Sequence, residues 1–190
     1  LIAVGPAWEL LRRGVSADTY TVSAPVDTTL SGYLQTPGYG TGVYDREGGL
    51  RAGQQRTYSV TVTRTSGAAA AQLQTLTWAA NDGTFKVEGG PLVRLPLGKA
   101  VTLRITAKPR TAGVHSALLK VDDPLTRGTD TQIAATVIVS APVAGPSYTL
   151  SRSGTAVRDL TTPYFVTVPA GAPSLEVALS GLKAGSQTRF

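Results

Sequence analysis

The chain has 190 residues, 42% of them hydrophobic and 16% charged. That is enough apolar matter for a packed core and too little charge for a disordered tail, and the length suits one ordinary domain plus part of another. The net charge of +6 and the pI near 9.8 come from scattered basic residues, Arg12, Arg46, Arg64, Arg94, Arg104 and Arg127 among them, so a nucleic-acid interface, which needs them gathered on one face with stacking aromatics, is not expected.

Cysteine is absent, which excludes disulfides, thiolate metal sites and a cysteine nucleophile. No apolar run approaches the roughly 18–20 residues that a membrane-spanning helix needs. With no methionine, Leu1 at its head and Phe190 falling in what reads as mid-strand, the sequence is expected to be a piece of a longer polypeptide.

In chain order, Pro6-Ala7-Trp8-Glu9-Leu10-Leu11-Arg12-Arg13-Gly14 is the one clear helix. Pro6 suits a first-turn position, Arg12 and Arg13 suit the negative end of the helix dipole, and Gly14 is placed as the left-handed stop. Trp8 and Leu11 share a face that so short a helix cannot bury alone, and it is expected to pack on a preceding domain. Residues 15–29, rich in Ser, Ala, Asp and Thr, read as a linker or a first extended segment, with Tyr20 and Val22 alternating.

The period then changes to two. In residues 56–65 Tyr58, Val60 and Val62 point one way and Thr57, Ser59, Thr61 and Thr63 the other. Leu76 and Trp78 are in phase within 73–80, and Trp78 is expected in the centre of the core. Asn81-Asp82-Gly83 fits a tight hairpin turn into 84–88. Val101, Leu103 and Ile105 alternate in 100–108. His115, Ala117, Leu119 and Val121 share one face of 113–122, and Ile133, Ala135, Val137 and Val139 one face of 130–140. Short strands punctuated by Gly and Pro predict a mainly β chain, an antiparallel sandwich of the immunoglobulin or fibronectin-type-III kind over residues 30–140. Residues 141–146 read as a linker by composition. Segments 147–150, 164–168 and 174–179 are strand-like again, but fewer than 50 residues close no domain of their own, so 147–190 are expected to be an incomplete second β module.

Little of this carries chemistry. The single histidine, His115, lies in a strand, out of step with any nearby acid, and Ser116 points to the opposite face; it reads as a packing or edge residue. Asp122-Asp123-Pro124 reads as a turn, with a hard-cation site as the alternative. Asp45-Arg46-Glu47 is a cluster that either pins a loop to the sandwich as an internal ion pair or docks a neighbouring domain. Gly38-Tyr39-Gly40-Thr41-Gly42 lacks the Lys-Ser/Thr of a phosphate loop. Tyr33, Tyr39 and Tyr44 either line a ligand surface or are partly buried at a domain junction. No catalytic residue, cofactor or metal ligand is assigned. Trp8, Leu11, Tyr33, Tyr39, Tyr44, Asp45, Arg46 and Glu47 are the interface candidates.

A resemblance adds to this. Leu1-Ile2-Ala3-Val4-Gly5-Pro6-Ala7-Trp8-Glu9-Leu10-Leu11 resembles the segment that ends the catalytic domain of subtilisin-like serine peptidases, after the catalytic serine. The run from Thr36-Pro37-Gly38 through Gly42-Val43-Tyr44-Asp45-Arg46-Glu47-Gly48, then Ala52-Gly53-Gln54 and Arg56-Thr57-Tyr58-Ser59-Val60-Thr61-Val62-Thr63-Arg64-Thr65-Ser66-Gly67, is similar to the accessory region of large secreted subtilases of actinobacterial type, with a layout like tripeptidyl peptidase II. Asn81-Asp82-Gly83-Thr84-Phe85, Ala112-Gly113-Val114-His115-Ser116-Ala117 and Val168-Pro169-Ala170-Gly171-Ala172-Pro173-Ser174-Leu175 fit the same region. The catalytic signatures Asp-Thr/Ser-Gly, His-Gly-Thr-His and Gly-Thr-Ser-x-x-x-Pro are not in the sequence.

The resemblance implies a secreted parent that hydrolyses peptide bonds with a serine nucleophile, and a non-catalytic accessory segment here. Residues 1–14 would be the last helix of the catalytic domain, which would be the partner, with self-association as a second kind of contact. The alternatives are an independent extracellular module binding carbohydrate or protein through the tyrosines, and one chain of a processed peptidase still held to its catalytic partner.

Overall fold

The computed structural model describes residues 4–12, 18–125 and 128–185. The predicted roles of Arg13 and Gly14, the scattered Arg127 and the unfinished end at 188–190 lie outside the described residues. Helix α1 spans Val4–Arg12. The strands are β1 (Tyr20–Asp27), β2 (Tyr39–Gly40), β3 (Val43–Asp45), β4 (Arg56–Arg64), β5 (Gln72–Ala79), β6 (Phe85–Val87), β7 (Leu92–Leu95), β8 (Ala100–Ala107), β9 (Gly113–Asp122), β10 (Thr131–Val139), β11 (Ala141–Pro142) and β12 (Val166–Thr167). A 3-10 turn, Ser31–Tyr33, sits between β1 and β2.

Residues 20–27, read from the sequence as linker or first extended segment, form the strand that joins the layers. Tyr20–Ser23 pair antiparallel with β4, whereas Val26 and Asp27 run parallel to Tyr44 and Asp45 of β3. Pro25, which has no N–H to give a ladder, falls between the two pairings, and Ala24 beside it is fully buried. One layer is therefore β6-β8-β4 with the first half of β1, and the other is the second half of β1 with β3-β10-β9-β5-β7. Within these two layers the ladders are antiparallel except at β3, which is parallel to both β1 and β10, a departure from the all-antiparallel expectation.

The inner faces follow the predicted alternation. Tyr58, Val60 and Val62 of β4 with Leu103 and Ile105 of β8 meet Ala117, Leu119 and Val121 of β9 with Ile133, Ala135 and Val137 of β10. Side chains removed from water on both inner faces are the main force holding the layers together, at about 1.5–3 kcal/mol for each large aliphatic. Trp78 is half-buried rather than central; it stacks on Phe85, ring centroids 5.6 Å apart, and Phe85 is the more deeply buried ring. Asn81-Asp82-Gly83 does not close a hairpin. β5 pairs with β7 and β9, while β6 pairs with β8 in the opposite layer. The Asn81 side chain explains the corner: its Nδ2 donates to Phe85 O at 2.8 Å, and its Oδ1 accepts from the N–H of Gly83 and of Phe85 at 3.1 Å. Those bonds replace the first rungs of a hairpin ladder and send the chain across.

The contacts divide the chain into residues 1–140 and 141–190. In the second unit β11 and β12 pair in parallel, with Ala141 N–H donating to Phe165 O at 2.9 Å. Segments 147–150 and 174–179, predicted as strands, have no ladder partner among the described residues and are not strands, and Leu175, Val177 and Leu179 are exposed. The two layers of residues 20–139 form an immunoglobulin-like β-sandwich. No described helix is long and apolar enough to cross a membrane.

Candidate functional site

His115 is where chemistry would first be sought, and the sequence reading of it needs correction. It is buried in β9 and does meet an acid: its Nδ1 lies 2.6 Å from Asp82 Oδ2, on the corner between β5 and β6. The hydroxyl of Thr84 lies 3.1 Å from the same nitrogen, and Nε2 is 3.0 Å from the carbonyl of Thr111. Histidine, acid and hydroxyl are thus together, but in the wrong order for a nucleophile. A serine-type triad puts the acid on one ring nitrogen and the nucleophile on the other. Here acid and hydroxyl share Nδ1, and Nε2 is occupied by a main-chain carbonyl. The group ties the corner to β9.

The hydrogen bond with Thr84, then that with His115, holds the Asp82 carboxyl down at about 2. A carboxyl depressed in the folded state stabilises it fully above the unfolded value near 3.8, and that contribution is lost as pH falls toward about 2. Asp82 is half-exposed, so solvent screening keeps the effect below what the shift alone implies. Urea unfolding should show Asp82→Asn less stable than the parent chain at pH 6, with the gap narrowing by pH 2.5. A gap independent of pH would remove this account of Asp82.

The cluster Asp45-Arg46-Glu47 is split by the end of β3. Asp45 turns inward, where only 3% of its side chain is exposed, and accepts from Arg56 Nη1 at 2.7 Å and from the Tyr58 hydroxyl at 2.5 Å. Its other oxygen accepts from Gly48 N–H at 3.0 Å, and Arg56 Nη2 donates to Gly48 O at 2.6 Å. Burial, then the Asp45 carboxylate, pushes the Tyr58 phenol above its ordinary range. Arg46 and Glu47 face outward and pair at 3.1 Å.

Tyr33 on the 3-10 turn is 89% exposed and Tyr39 on β2 is 48% exposed. They belong to one loop, closed where Gly38 N–H donates to Ser31 O at 2.9 Å and Val26 N–H donates to Gly38 O at 2.8 Å. Tyr44 is half-buried on β3, opposite Thr136 of β10. On helix α1, Val4, Trp8 and Leu11 recur at helical spacing and are 70%, 67% and 74% exposed. Asp123 is a turn residue, its Oδ1 accepting from Leu125 N–H at 2.9 Å and its own N–H donating to Asp130 at 2.6 Å. Among the described residues no group of three or more His, Cys, Asp or Glu side chains is placed to hold a metal ion.

Arg64, counted in the sequence among the scattered basic residues and given no site role, is fully buried. Its Nε donates to Leu95 O at 3.2 Å, Nη1 to Asp18 at 3.1 Å and Ser66 O at 3.3 Å, and Nη2 to Ala68 O at 2.7 Å and Ala70 O at 2.6 Å. Every N–H of the guanidinium is thereby matched. A usable signal was present: Arg64 is in phase with Tyr58, Val60 and Val62 on the buried face of β4.

Residues 21–139 match the family model described as the Ig-like domain in actinomycete serine proteases. No curated protein matches the chain. Among solved structures, the chain is similar to tripeptidyl peptidase 2, at 14% identity and TM-score 0.51 over 68% of this chain and 10% of that one. It is similar also to a FixG-related protein from Vibrio parahaemolyticus, at 12% identity and TM-score 0.40 over 66% of this chain and 98% of that one. A family 123 glycoside hydrolase from Clostridium perfringens matches at 12% identity and TM-score 0.41, over 64% of this chain and 27% of its own. The chain thus spans about a tenth of the length of the peptidase it is similar to.

Proposed function

Because the chain belongs to the family of Ig-like domains in actinomycete serine proteases, we propose that it is a non-catalytic accessory segment of a secreted subtilisin-like peptidase, held to the catalytic domain through helix α1. The observation that carries this reading is the face made by Val4, Trp8 and Leu11. A helix of nine residues is marginal in water by itself. Burying Leu11 on a partner contributes about 1.5–3 kcal/mol, and Trp8 comparably more for its area. Subtilisin-like chemistry and secretion are supported by the family to which the domain belongs and by the resemblance of residues 1–11 to the end of such a catalytic domain. The sandwich would brace that domain, and the active-site serine, histidine and aspartate would all lie in the parent's catalytic domain.

A second reading, an independent binding module, is favoured by the exposure of Tyr33 and Tyr39 on one loop. One experiment separates the two. The 190-residue chain is mixed with the separately expressed catalytic domain of its parent, and co-purification is followed. The two should co-elute, Trp8→Asp with Leu11→Asp should abolish this, and Tyr33→Ala with Tyr39→Ala should leave it intact. The chain alone should not hydrolyse a chromogenic peptide. Retention that ignores the helix substitutions but fails with the tyrosine substitutions would replace the first reading with the second. Hydrolysis by the chain alone, blocked by a serine-directed inhibitor, would overturn the non-catalytic assignment.

A further inference from the structure

The point where the chain enters the sandwich is fastened by side chains as well as by the main chain. Asp18, just before β1, is held by the buried Arg64 at 3.1 Å. Thr19 N–H donates to Ser66 Oγ at 2.8 Å, Thr19 Oγ1 lies 2.7 Å from Thr65 Oγ1 and donates to Ser66 Oγ at 3.0 Å, and Thr65 N–H donates to Thr19 O at 2.7 Å. Gly67 completes the arrangement. Its φ of +100° suits glycine, and a Cβ there would overlap the Asp18 carboxylate. Arg64 also gathers the carbonyls of Ser66, Ala68 and Ala70, so the loop that grips Asp18 and Thr19 is itself tied to a core strand.

We propose that Asp18, Thr19, Arg64, Ser66 and Gly67 form a clasp that fixes where the sandwich begins, and so how few residues separate it from α1. From Arg12 to Asp18 the chain can reach at most about 20 Å. If the clasp opened, the first residues of β1 would be free to peel from the edge of β4, and several more residues would then separate α1 from the sandwich. Closed, it keeps the sandwich at short range from whatever α1 packs on, which raises the effective concentration of one for the other. That the body at the other end is a peptidase domain rests on the reading above; the clasp itself does not.

The test is residue-resolved amide hydrogen exchange on the full chain. Thr19 and Thr65 should exchange about a hundredfold or more slower than in an unstructured peptide. In Asp18→Ala with Ser66→Ala, both should approach within about tenfold of the unstructured rate, while Val60 and Leu119 keep their protection. Gly67→Ala, which leaves every clasping side chain in place, should loosen the same two amides. Thr19 exchanging freely in the parent chain, or staying protected in the double variant, would overturn the clasp; the first outcome decides even if a variant does not fold. A failed clasp leaves the co-purification result standing, and a failed co-purification leaves the clasp standing, so the two proposals fall separately.

Discussion

Replacing Asp45 with alanine is expected to lower the stability of the sandwich by about 3–5 kcal/mol, the range for breaking one side of a buried ion pair. Removal of the carboxylate leaves Arg56 Nη1, the buried Tyr58 hydroxyl and the Gly48 N–H without their acceptor, while Arg56 Nη2 keeps Gly48 O. An orphaned buried hydroxyl alone costs about 1–3 kcal/mol. Arg56 is 32% exposed and can turn partly to water, which places the expected value at the lower end of the range. Tyr58→Phe should cost less, about 1 kcal/mol, because Asp45 keeps Arg56 and Gly48. Combined with Asp45→Ala it should add no loss and recover part of the stability, since it removes the hydroxyl that Asp45→Ala had orphaned. Urea or thermal unfolding of the three variants measures this cycle. A loss below about 0.5 kcal/mol for Asp45→Ala, or strict additivity, would show that the loop after β3 is not held by this carboxylate.

The contrast between Asp45 and its sequence neighbours shows how far the residues could be read in advance. Alternation in β4, β8, β9 and β10 was legible because a two-residue period with one dry face leaves a clear pattern, and those strands carry most of the core. β3 was not, since three residues carry no period and its place between β1 and β10 depends on partners distant in sequence. β1 was obscured by its Ser, Thr and Ala, which suit a strand divided between two layers better than one with a continuous apolar face. Asp82-Gly83 carries good hairpin chemistry, and what defeated that expectation was the Asn81 side chain bonding to Phe85. His115 shares a strand face with Ala117, Leu119 and Val121 in the sequence, but its acid lies 33 residues earlier, on a corner that only the tertiary fold brings to β9. Of the interface candidates, exposure distinguishes Trp8, Leu11, Tyr33 and Tyr39 from Asp45, which is spent on the interior.

Arg64 makes the sharper demand on the fold, and Arg64→Ala is expected to lower stability by at least the 3–5 kcal/mol typical of breaking a buried pair. No part of its side chain reaches solvent, so three penalties fall together. The Asp18 carboxylate, 14% exposed, loses its counter-charge. The carbonyls of Leu95, Ser66, Ala68 and Ala70 lose their donor. A cavity remains where the side chain lay, beside Leu95 of β7. Two further substitutions separate these contributions. Arg64→Met nearly fills the volume and so removes the cavity while leaving every acceptor unmatched. Arg64→Lys restores the charge but not the planar fork, so it should satisfy Asp18 or the loop carbonyls without satisfying both. The expected order of stability is parent, then lysine, then methionine, then alanine, with the amide of Thr65, which donates to Thr19 O, losing protection in all three variants before those of β9. Methionine as stable as the parent would mean that packing alone explains the site. Lysine as stable as the parent would mean that a point charge suffices and that the bonds to Ala68 and Ala70 contribute nothing. The proposed order holds only if charge, fork geometry and volume each contribute, which is what burying an arginine on the inner face of β4 requires.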